Sequence, residues 1–578
     1  MPASKPARFR RSWMYFVAGL AHALAMLLAF PPFDLWRMAV AAPMPLVWAA
    51  WRRGVDLREQ GRRGVRGRAV WMVPLGVAPF HLYSHQWMLD VTAIGFPVFI
   101  VAMSMMSGLF VWAGSNVMAR WPRLPLCVAA PLVWTGLEVM RGEVVFSGYP
   151  WMLAAHPLIG APWVPGTAAL LGTYYAGFLV LVLAALVVDL TLTRMKPVAG
   201  LGVVGLLAGA VGLGVALWPG ESEEAEFTVG VVQSNIPQSN KLEWKFEDRW
   251  RDMGAFGSLT KRAAGGADVV VWPETMFPGL TLSESGLAAE RAAGLAFRVP
   301  REVDPRGEVP STEFAQRLVS LAQDIGKPML VGAVGFEGLS IVEDAKDGLR
   351  FDYAKRFNSV FLLKRDAGGF EGWIDPRPYS KIDLTPFGET MPGIRHWPWL
   401  QKQLTALGAG GLVLDLSSGD GPRVFDIGGV GVVTPVCFEA TKPALCRKLV
   451  NAAAGRPAVM VNLTNDGWFA GFRPGRLQHL QIARWRCVEL GVPMVRAANT
   501  GISAAIDSRG RVTASGVDGR PGAWNEEGVL TAKVRPNRAR TLYARVGDVF
   551  GWTVLCMALV AWGWALATLR GGTKEQQA

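Results

Sequence analysis

The stretch VGVVTPVCFE, residues 430–439, decides the fold class of the larger part of this chain. Its apolar run is continuous rather than alternating, which is typical of a strand buried on both faces of a parallel sheet. Pro435 ends the run, and the reactive side chains of Cys437 and Glu439 follow it directly. Because ligands gather beyond the carboxyl ends of strands in open α/β sheets, the stretch predicts an α/β domain with a site at this edge.

Similar short apolar runs occur on both sides of this stretch along the chain. Between about residues 220 and 545, short apolar runs punctuated by Gly, Pro and Asn alternate with helical patterns, notably residues 312–325 and 476–490. The candidate strands are residues 227–233, 268–272, 328–333, 359–363, 430–436 and 458–463. A domain of this length suits two sheets that pack against each other.

The two ends of the chain differ from this domain because they carry apolar stretches long enough to cross a bilayer. Seven stretches precede residue 220, namely residues 13–30, 38–51, 69–87, 91–114, 124–140, 164–192 and 198–218. An eighth covers residues 546–569. No small-residue cleavage site follows the first stretch, so we expect a retained helix. The sequence thus predicts a membrane domain over residues 1–219, a soluble domain over 220–545, an eighth span over 546–570 and a tail over 571–578.

Charge predicts the orientation of these spans. The chain of 578 residues is 51% hydrophobic and only 18% charged, and Lys+Arg 59 against Asp+Glu 46 gives a net charge of +13. Seven arginines between Arg52 and Arg68 form a basic segment after the second stretch, whereas an acidic run begins at Glu221. Since positive loops stay in the cytoplasm, we expect both termini inside and residues 220–545 outside. An RNA-binding arm is the weaker alternative, because no stacking aromatics interleave the arginines.

Three segments carry residues that suit nucleophilic catalysis. A cysteine nucleophile needs a base and a donor for the developing oxyanion. The six histidines lack metalloprotease spacing, so the sequence predicts neither a metal site nor a cofactor and disfavours a Cys-His pair. A carboxylate and a lysine can replace the histidine, and WPE at 272–274, YSK at 379–381 and VCFE at 436–439 supply them. Taken alone, a cysteine such as Cys437 is more often a small core residue.

These three segments resemble the Glu-Lys-Cys triad of the nitrilase superfamily. The flanking sequence is similar to that of the apolipoprotein N-acyltransferase family, from about residue 21 to residue 567. The motifs that carry the resemblance are VQSNIPQ at 232–238, TPFGE at 385–389, NDGWF at 465–469, RAANTG at 496–501, and the Arg141-Gly142 and GYPW (148–151) segments. The resemblance implies an α-β-β-α sandwich inserted before the last span of a multi-span helical membrane bundle.

The resemblance also implies a role for each residue of the site. Glu274 is the expected general base, Lys381 the electrostatic partner and Cys437 the nucleophile. The backbone N–H of Phe438 and the Lys381 ammonium would face the oxyanion. The supporting and substrate-facing positions expected from the same comparison are Glu389, Glu439, Trp468, Phe387, Phe469 and Phe472; for the phenylalanines, an ordinary core position is an equal alternative.

The implied reaction takes place at a bacterial inner membrane, with the catalytic domain in the periplasm. An acyl chain would move from a membrane phospholipid, through a Cys437 thioester, to the N-terminal amine of a diacylated apolipoprotein. One alternative is a membrane-tethered amidase or nitrilase that hydrolyses a C–N bond. A second is a transporter or receptor with an extracytoplasmic binding domain, which the scarcity of ionisable residues within the spans disfavours.

Overall fold

The first part of the chain is a bundle of helices. The computed structural model describes residues 5–64, 68–93, 95–220, 222–237, 244–299, 301, 305–344, 348–386, 388–390, 399 and 416–571. The α-helices that precede the sheets are Lys5–Ala29, Met38–Ala41, Met44–Gly64, Arg68–Ser84, Met88–Val91, Gly95–Arg120, Leu126–Val139, Ala168–Leu171, Thr173–Thr191 and Pro197–Ala216. A last helix, Val549–Gly571, follows the sheets and packs against Leu126–Val139.

Five helices within the described residues are long and apolar enough to cross a membrane. They are Ser12–Ala29, Gly95–Arg120, Thr173–Thr191, Pro197–Ala216 and Val549–Leu569. Large apolar side chains on their surfaces stay uncovered by protein, as at Val198, which is 80% exposed, and Leu206, which is 76% exposed. Such extended apolar exposure is typical of a surface that faces lipid. The other three predicted spans are helical but shorter or more charged, so the total of eight remains a prediction.

The helices differ from the apolar stretches in three details. The second stretch is a broken helix, one of the alternatives that its prolines leave open, because the Met38–Ala41 helix ends before Pro43 and a new helix starts at Met44. The basic segment is not a loop, since Met44–Gly64 continues through its first arginines, which favour helix as strongly as leucine does. The sixth stretch breaks at Gly172, where φ is +87°. A Cβ added at this position would lie 2.6 Å from the Tyr543 ring, so the backbone conformation and the packing both require glycine.

Two six-stranded sheets form the soluble domain, which also contains two separate two-stranded sheets. The strands are β1 (Phe227–Gln233), β2 (Val269–Val271), β3 (Ala296–Arg298), β4 (Glu308–Pro310), β5 (Met329–Glu337), β6 (Ser340–Asp344), β7 (Gly348–Asp352), β8 (Lys355–Leu363), β9 (Tyr379–Ser380), β10 (Phe425–Ile427), β11 (Val430–Val433), β12 (Ala458–Thr464), β13 (Met494–Ala498), β14 (Ala504–Ile506), β15 (Val512–Ser515) and β16 (Gly528–Val534). The first sheet has the order β16-β1-β2-β5-β8-β9, and the second runs from β10 to β15 in sequence order. In each sheet three central strands are parallel, β1-β2-β5 and β11-β12-β13.

The sheets pack face to face between layers of helix. Side chains of β1 alternate, so that Val229 and Val231 join the core between the sheets while Val232 joins an outer core. Helices Phe246–Ala263 and Glu313–Ile325 cover the first sheet through that outer core. Helices Pro443–Ala452 and Arg473–Leu490 cover the second sheet. All six predicted strands are present, although β5 and β8 are longer than expected and β11 stops at Val433.

Candidate active site

Cys437 lies where the two sheets and the helical bundle come together. It follows β11 and opens a 3₁₀ turn, Cys437–Thr441, with a φ of 50° that places its backbone in the left-handed region. A non-glycine residue held in this region is strained, and such strain concentrates at functional sites. Cys437 is half-buried, whereas Cys127, Cys446 and Cys487 are buried and Cys556 is exposed.

The structure brings Glu274 and Lys381 together from the edge of the other sheet. Glu274 follows β2 and Lys381 follows β9; both side chains are almost fully buried. The Lys381 Nζ atom is 3.8 Å from Glu274 Oε1 and 2.7 Å from Glu389 Oε2. The charges of Glu274 and Lys381 both act on the Cys437 thiol. The three residues therefore form one cluster, with Glu389 as a fourth member.

Asn358 is a member of this cluster that the sequence analysis missed. Its Nδ2 donates to Glu274 Oε1 at 2.7 Å and to Glu389 Oε1 at 3.1 Å, while the backbone N–H of Asn465 donates to Glu274 Oε2 at 2.8 Å. The available signal was a single amide side chain in the largely apolar strand β8. Both oxygens of Glu274 are thus held in fixed directions, as a general base requires.

The charges of the cluster set the pKa values of its members. Burial alone would lower the pKa of Lys381, but Glu389 and Glu274 outweigh it, and the pKa lies above the ordinary value. Burial opposes ionisation of Glu389, yet Lys381 holds the pKa of that carboxyl below its ordinary value. Burial and then Glu274 raise the pKa of the Cys437 thiol to about 12. The resting site therefore holds a protonated thiol beside a carboxylate-flanked ammonium.

Glu439 joins the turn that begins at Cys437 to the segment that carries Lys381. Its Oε1 accepts hydrogen bonds from the backbone N–H groups of Ile382 and Asp383, at 2.7 and 3.0 Å. Its Oε2 accepts from the N–H of Val436 at 2.7 Å and from the Tyr379 hydroxyl at 2.9 Å. The carboxylate acts as a structural clamp within the site rather than as an exposed surface charge.

The backbone N–H of Phe438 precedes the hydrogen-bonded part of the turn. The first turn bond runs from the Glu439 N–H to the Val436 carbonyl, at 3.0 Å. The leading N–H groups of a helical turn have no partner within the turn and are available to an anion. With the Lys381 ammonium, the Phe438 N–H supplies two donors of the kind that stabilise an oxyanion.

Aromatic side chains join the site to the helical bundle. The Phe469 ring lies 5.0 Å from that of Trp87 and 6.3 Å from that of Trp151, and the Phe472 ring lies 5.6 Å from that of Tyr83. Trp468 is half-buried in the same 3₁₀ segment, Asp466–Phe469. The remaining predicted substrate-facing residue, Phe387, lies outside the described residues.

Lys442 is a second contact that the sequence analysis missed. Its Nζ donates to the carbonyl oxygens of Ser147 and Gly148, the latter at 2.6 Å, and lies 5.3 Å from the Phe438 ring. The Tyr149 ring stacks on Phe438 at 6.5 Å. A loop of the bundle is thus held against Phe438, the residue that follows Cys437. Among the described residues, no group of three or more His, Cys, Asp or Glu side chains is arranged to hold a metal ion.

Comparison with known proteins agrees with this architecture. Residues 22–186 match the model of the apolipoprotein N-acyltransferase N-terminal domain, and residues 228–544 match that of carbon-nitrogen hydrolases. An apolipoprotein N-acyltransferase from Geobacter metallireducens is 30% identical over 97% of this chain and 96% of its own, and one from Caulobacter vibrioides is 29% identical over 94% and 93%. A solved amidase from Nesterenkonia sp. covers 57% of this chain and 95% of its own, with 15% identity and a TM-score of 0.33. The chain is a membrane protein that belongs to the apolipoprotein N-acyltransferase family and contains a carbon-nitrogen hydrolase domain.

Proposed function

We propose that this chain transfers an acyl group from a membrane phospholipid to the N-terminal amine of a diacylated apolipoprotein. The observation that carries the proposal is the buried Glu274-Lys381-Cys437 cluster, which lies against a loop of a helical bundle with lipid-facing character. Both substrates are lipids. A site at the junction of bundle and sheets lets their acyl chains reach it without exposing them to water. The hydrolase and transporter alternatives have no comparable support, because residues 22–186 match an acyltransferase domain.

In the first half-reaction, Cys437 Sγ attacks the ester carbonyl carbon of the phospholipid. Glu274 takes the thiol proton, which overcomes the raised pKa of the thiol at the moment of attack. The carbonyl oxygen gains negative charge and is stabilised by the Lys381 ammonium and the Phe438 N–H. The intermediate collapses when the glycerol oxygen leaves with the proton from Glu274. The products are a Cys437 thioester and a lysophospholipid.

In the second half-reaction, the α-amine of the diacylglyceryl-cysteine attacks the thioester carbon. Glu274 takes a proton from the amine nitrogen and returns it to Sγ, so the thiol is restored as the amide forms. The same two donors stabilise the second oxyanion. Burial of the cluster limits the access of water, which favours attack by the amine over hydrolysis of the thioester.

The proposal includes an orientation in the membrane. The bias of Lys and Arg places both termini in the cytoplasm and residues 220–545 outside it, which corresponds to the periplasm of a bacterium with an inner membrane. Glu138, near the end of the Leu126–Val139 helix, and Arg141, just beyond it, are paired with the 151–154 loop. Arg141 Nη1 donates to the Trp151 carbonyl at 2.6 Å, and Glu138 Oε1 accepts from the Ala154 N–H at 2.8 Å.

The proposal is tested by mass spectrometry of the purified full chain after incubation with phosphatidylethanolamine vesicles. We expect an acyl adduct on the peptide that contains Cys437, absent from Cys437→Ala and retained in the matched control Cys556→Ala, whose cysteine is exposed and distant from the site. A diacylated lipopeptide added next should gain an acyl group as the adduct disappears. An adduct that survives Cys437→Ala, or one that water removes without N-acylated product, would overturn the proposal.

A further inference from the structure

A buried polar cluster lies behind the nucleophile and has no part in the mechanism above. Asp466, His479 and Arg496 are 1%, 2% and 0% exposed. The Arg496 Nη2 group is 2.5 Å from Asp466 Oδ2 and 3.0 Å from His479 Nδ1, so its two hydrogens satisfy both acceptors. Burying charged side chains and imidazoles costs free energy unless their polar atoms are paired. The contacts of this cluster therefore matter for the groups that it holds in place.

The contacts determine which nitrogen of His479 carries the proton. A guanidinium only donates hydrogen bonds, so Nδ1 must accept from Arg496 and the hydrogen of the neutral ring lies on Nε2. Asp466 Oδ1, which is 3.2 Å from Nδ1, is satisfied instead by the Thr464 hydroxyl at 3.2 Å. Burial, and then the charge of Arg496, lower the pKa of His479, which keeps the ring neutral near pH 7.

The Nε2–H group of His479 points at the backbone carbonyl of the nucleophile. Nε2 lies 3.3 Å from the Cys437 oxygen, and Asn462 Nδ2 lies 3.4 Å from the same oxygen. This carbonyl and the Phe438 N–H belong to one peptide unit, in which a planar trans bond makes C=O and N–H point in opposite directions. A donor that fixes the carbonyl therefore fixes the direction of the N–H as well.

We propose that His479 is a positioning residue that aims the Phe438 N–H at the oxyanion. The inference rests on the proposed function, since it requires an acyl-transfer intermediate on Cys437. With Asn462, it gives the Cys437–Phe438 peptide, which follows a left-handed φ of 50°, two side-chain donors that fix its orientation. A hydrogen bond to the carbonyl also polarises the peptide and strengthens its N–H as a donor.

The ring of His479 is held in this orientation by aromatic neighbours on both sides of the domain junction. The ring centroids of Trp151 and Phe469 lie 5.6 and 5.9 Å from that of the imidazole. Trp151 belongs to the bundle loop, and its Nε1 donates to Gln478 Oε1 at 3.2 Å. The aim of the oxyanion donor thus depends on a loop of the bundle as well as on the soluble domain.

The test compares two amide variants that differ in which imidazole nitrogen they imitate. His479→Gln can place an N–H near the Nε2 position, whereas His479→Asn reaches only the Nδ1 position and leaves the Cys437 carbonyl without this donor. Both lose ring packing, so a merely structural role for the ring would slow them equally. The measurement is the single-turnover rate of Cys437 thioester formation with phosphatidylethanolamine vesicles, taken over a range of lipid concentrations.

We expect His479→Asn to lower the maximal rate by tenfold to a hundredfold, on the order of the effect of an impaired oxyanion donor, with little change in the lipid concentration at half-maximal rate. His479→Gln should recover most of the rate. Binding of a palmitoyl trifluoromethyl ketone, whose adduct with Cys437 carries an oxyanion, should weaken in parallel for His479→Asn. This inhibitor reports on the intermediate even if thermal stability falls in both variants.

Equal rates for the two variants, or a change confined to the half-maximal lipid concentration, would overturn the positioning role. Unchanged binding of the ketone to His479→Asn would do the same. These results are distinct from failure of the proposed function, which would appear as an acyl adduct that persists in Cys437→Ala. In that case the adduct would lie on another residue whatever the state of His479.

Discussion

Replacing Glu389 by glutamine should destabilise the soluble domain, because it breaks the closest ion pair of the site. Glu389 Oε2 lies 2.7 Å from Lys381 Nζ and also accepts from the Thr385 N–H at 2.8 Å. Removing one partner of a buried pair costs about 3–5 kcal/mol. Lys381 keeps Glu274 at 3.8 Å and the Thr385 hydroxyl at 3.2 Å, so we expect the lower end, about 3 kcal/mol.

The sign of the pH dependence follows from the direction of the pKa shift. Lys381 holds the pKa of Glu389 below its unfolded value despite the opposing effect of burial. A carboxyl with a lowered folded pKa contributes stability above its unfolded pKa, near 4.3, and loses that stability as the pH falls through the folded pKa. The gap between wild type and Glu389→Gln should therefore be full at about pH 8 and should narrow as the pH falls below about 4.3.

The assay is thermal unfolding of the detergent-purified full chain, followed by intrinsic tryptophan fluorescence. A loss of about 3 kcal/mol corresponds to a midpoint lower by roughly 4–5 °C for a domain of this size. Glu313→Gln is the matched control, because its pair with Arg317 at 2.9 Å joins side chains that are 26% and 48% exposed. Such a surface pair contributes about 0.3–0.5 kcal/mol. Overlapping midpoints for Glu389→Gln and Glu313→Gln at about pH 8, or a gap between Glu389→Gln and wild type that does not narrow as the pH falls below about 4.3, would refute the reasoning.

Three further outcomes follow from the same structure. Phe469→Ala should lower stability by about 3–5 kcal/mol in thermal unfolding, since the buried ring packs on Trp87; loss of less than about 1 kcal/mol would contradict this packing. Lys442→Met should slow thioester formation by roughly tenfold with unchanged expression, because the bundle loop loses its bond to the Lys442 ammonium at Gly148; wild-type rates would show that the loop needs no such tether. Iodoacetamide should alkylate Cys437 about tenfold faster per pH unit between about pH 7 and 10, as its pKa of about 12 requires; a plateau near pH 8, read by mass spectrometry, would contradict the raised pKa.

The sequence by itself determined the type and order of most elements, because these depend on local composition. Continuous apolar runs located β1, β2, β11 and β12, and long apolar helices were visible without any knowledge of packing. Two of the missed strands, β13 and β16, have a diluted apolar signal. β13 contains Arg496, whose charge is matched by Asp466 from a different part of the chain, and the exposed positions of β16 break up its apolar pattern. Turns such as those at Pro43 and Gly172 depend on single residues within otherwise helical composition.

The site divides in the same way between sequence and tertiary structure. Glu274, Lys381 and Cys437 follow strand ends, and motif order alone predicted that they act together. Their partners could be assigned only in three dimensions, because hydrogen-bond direction is not encoded in composition. Asn358 has the same residue type as many surface amides, and only the packing of β8 beside β5 turns it towards two carboxylates. Only the folded chain likewise brings the Cys437 carbonyl to His479, at a distance of 3.3 Å. The two residues are 42 positions apart in the sequence, and they meet only because the second sheet and its covering helix pack together.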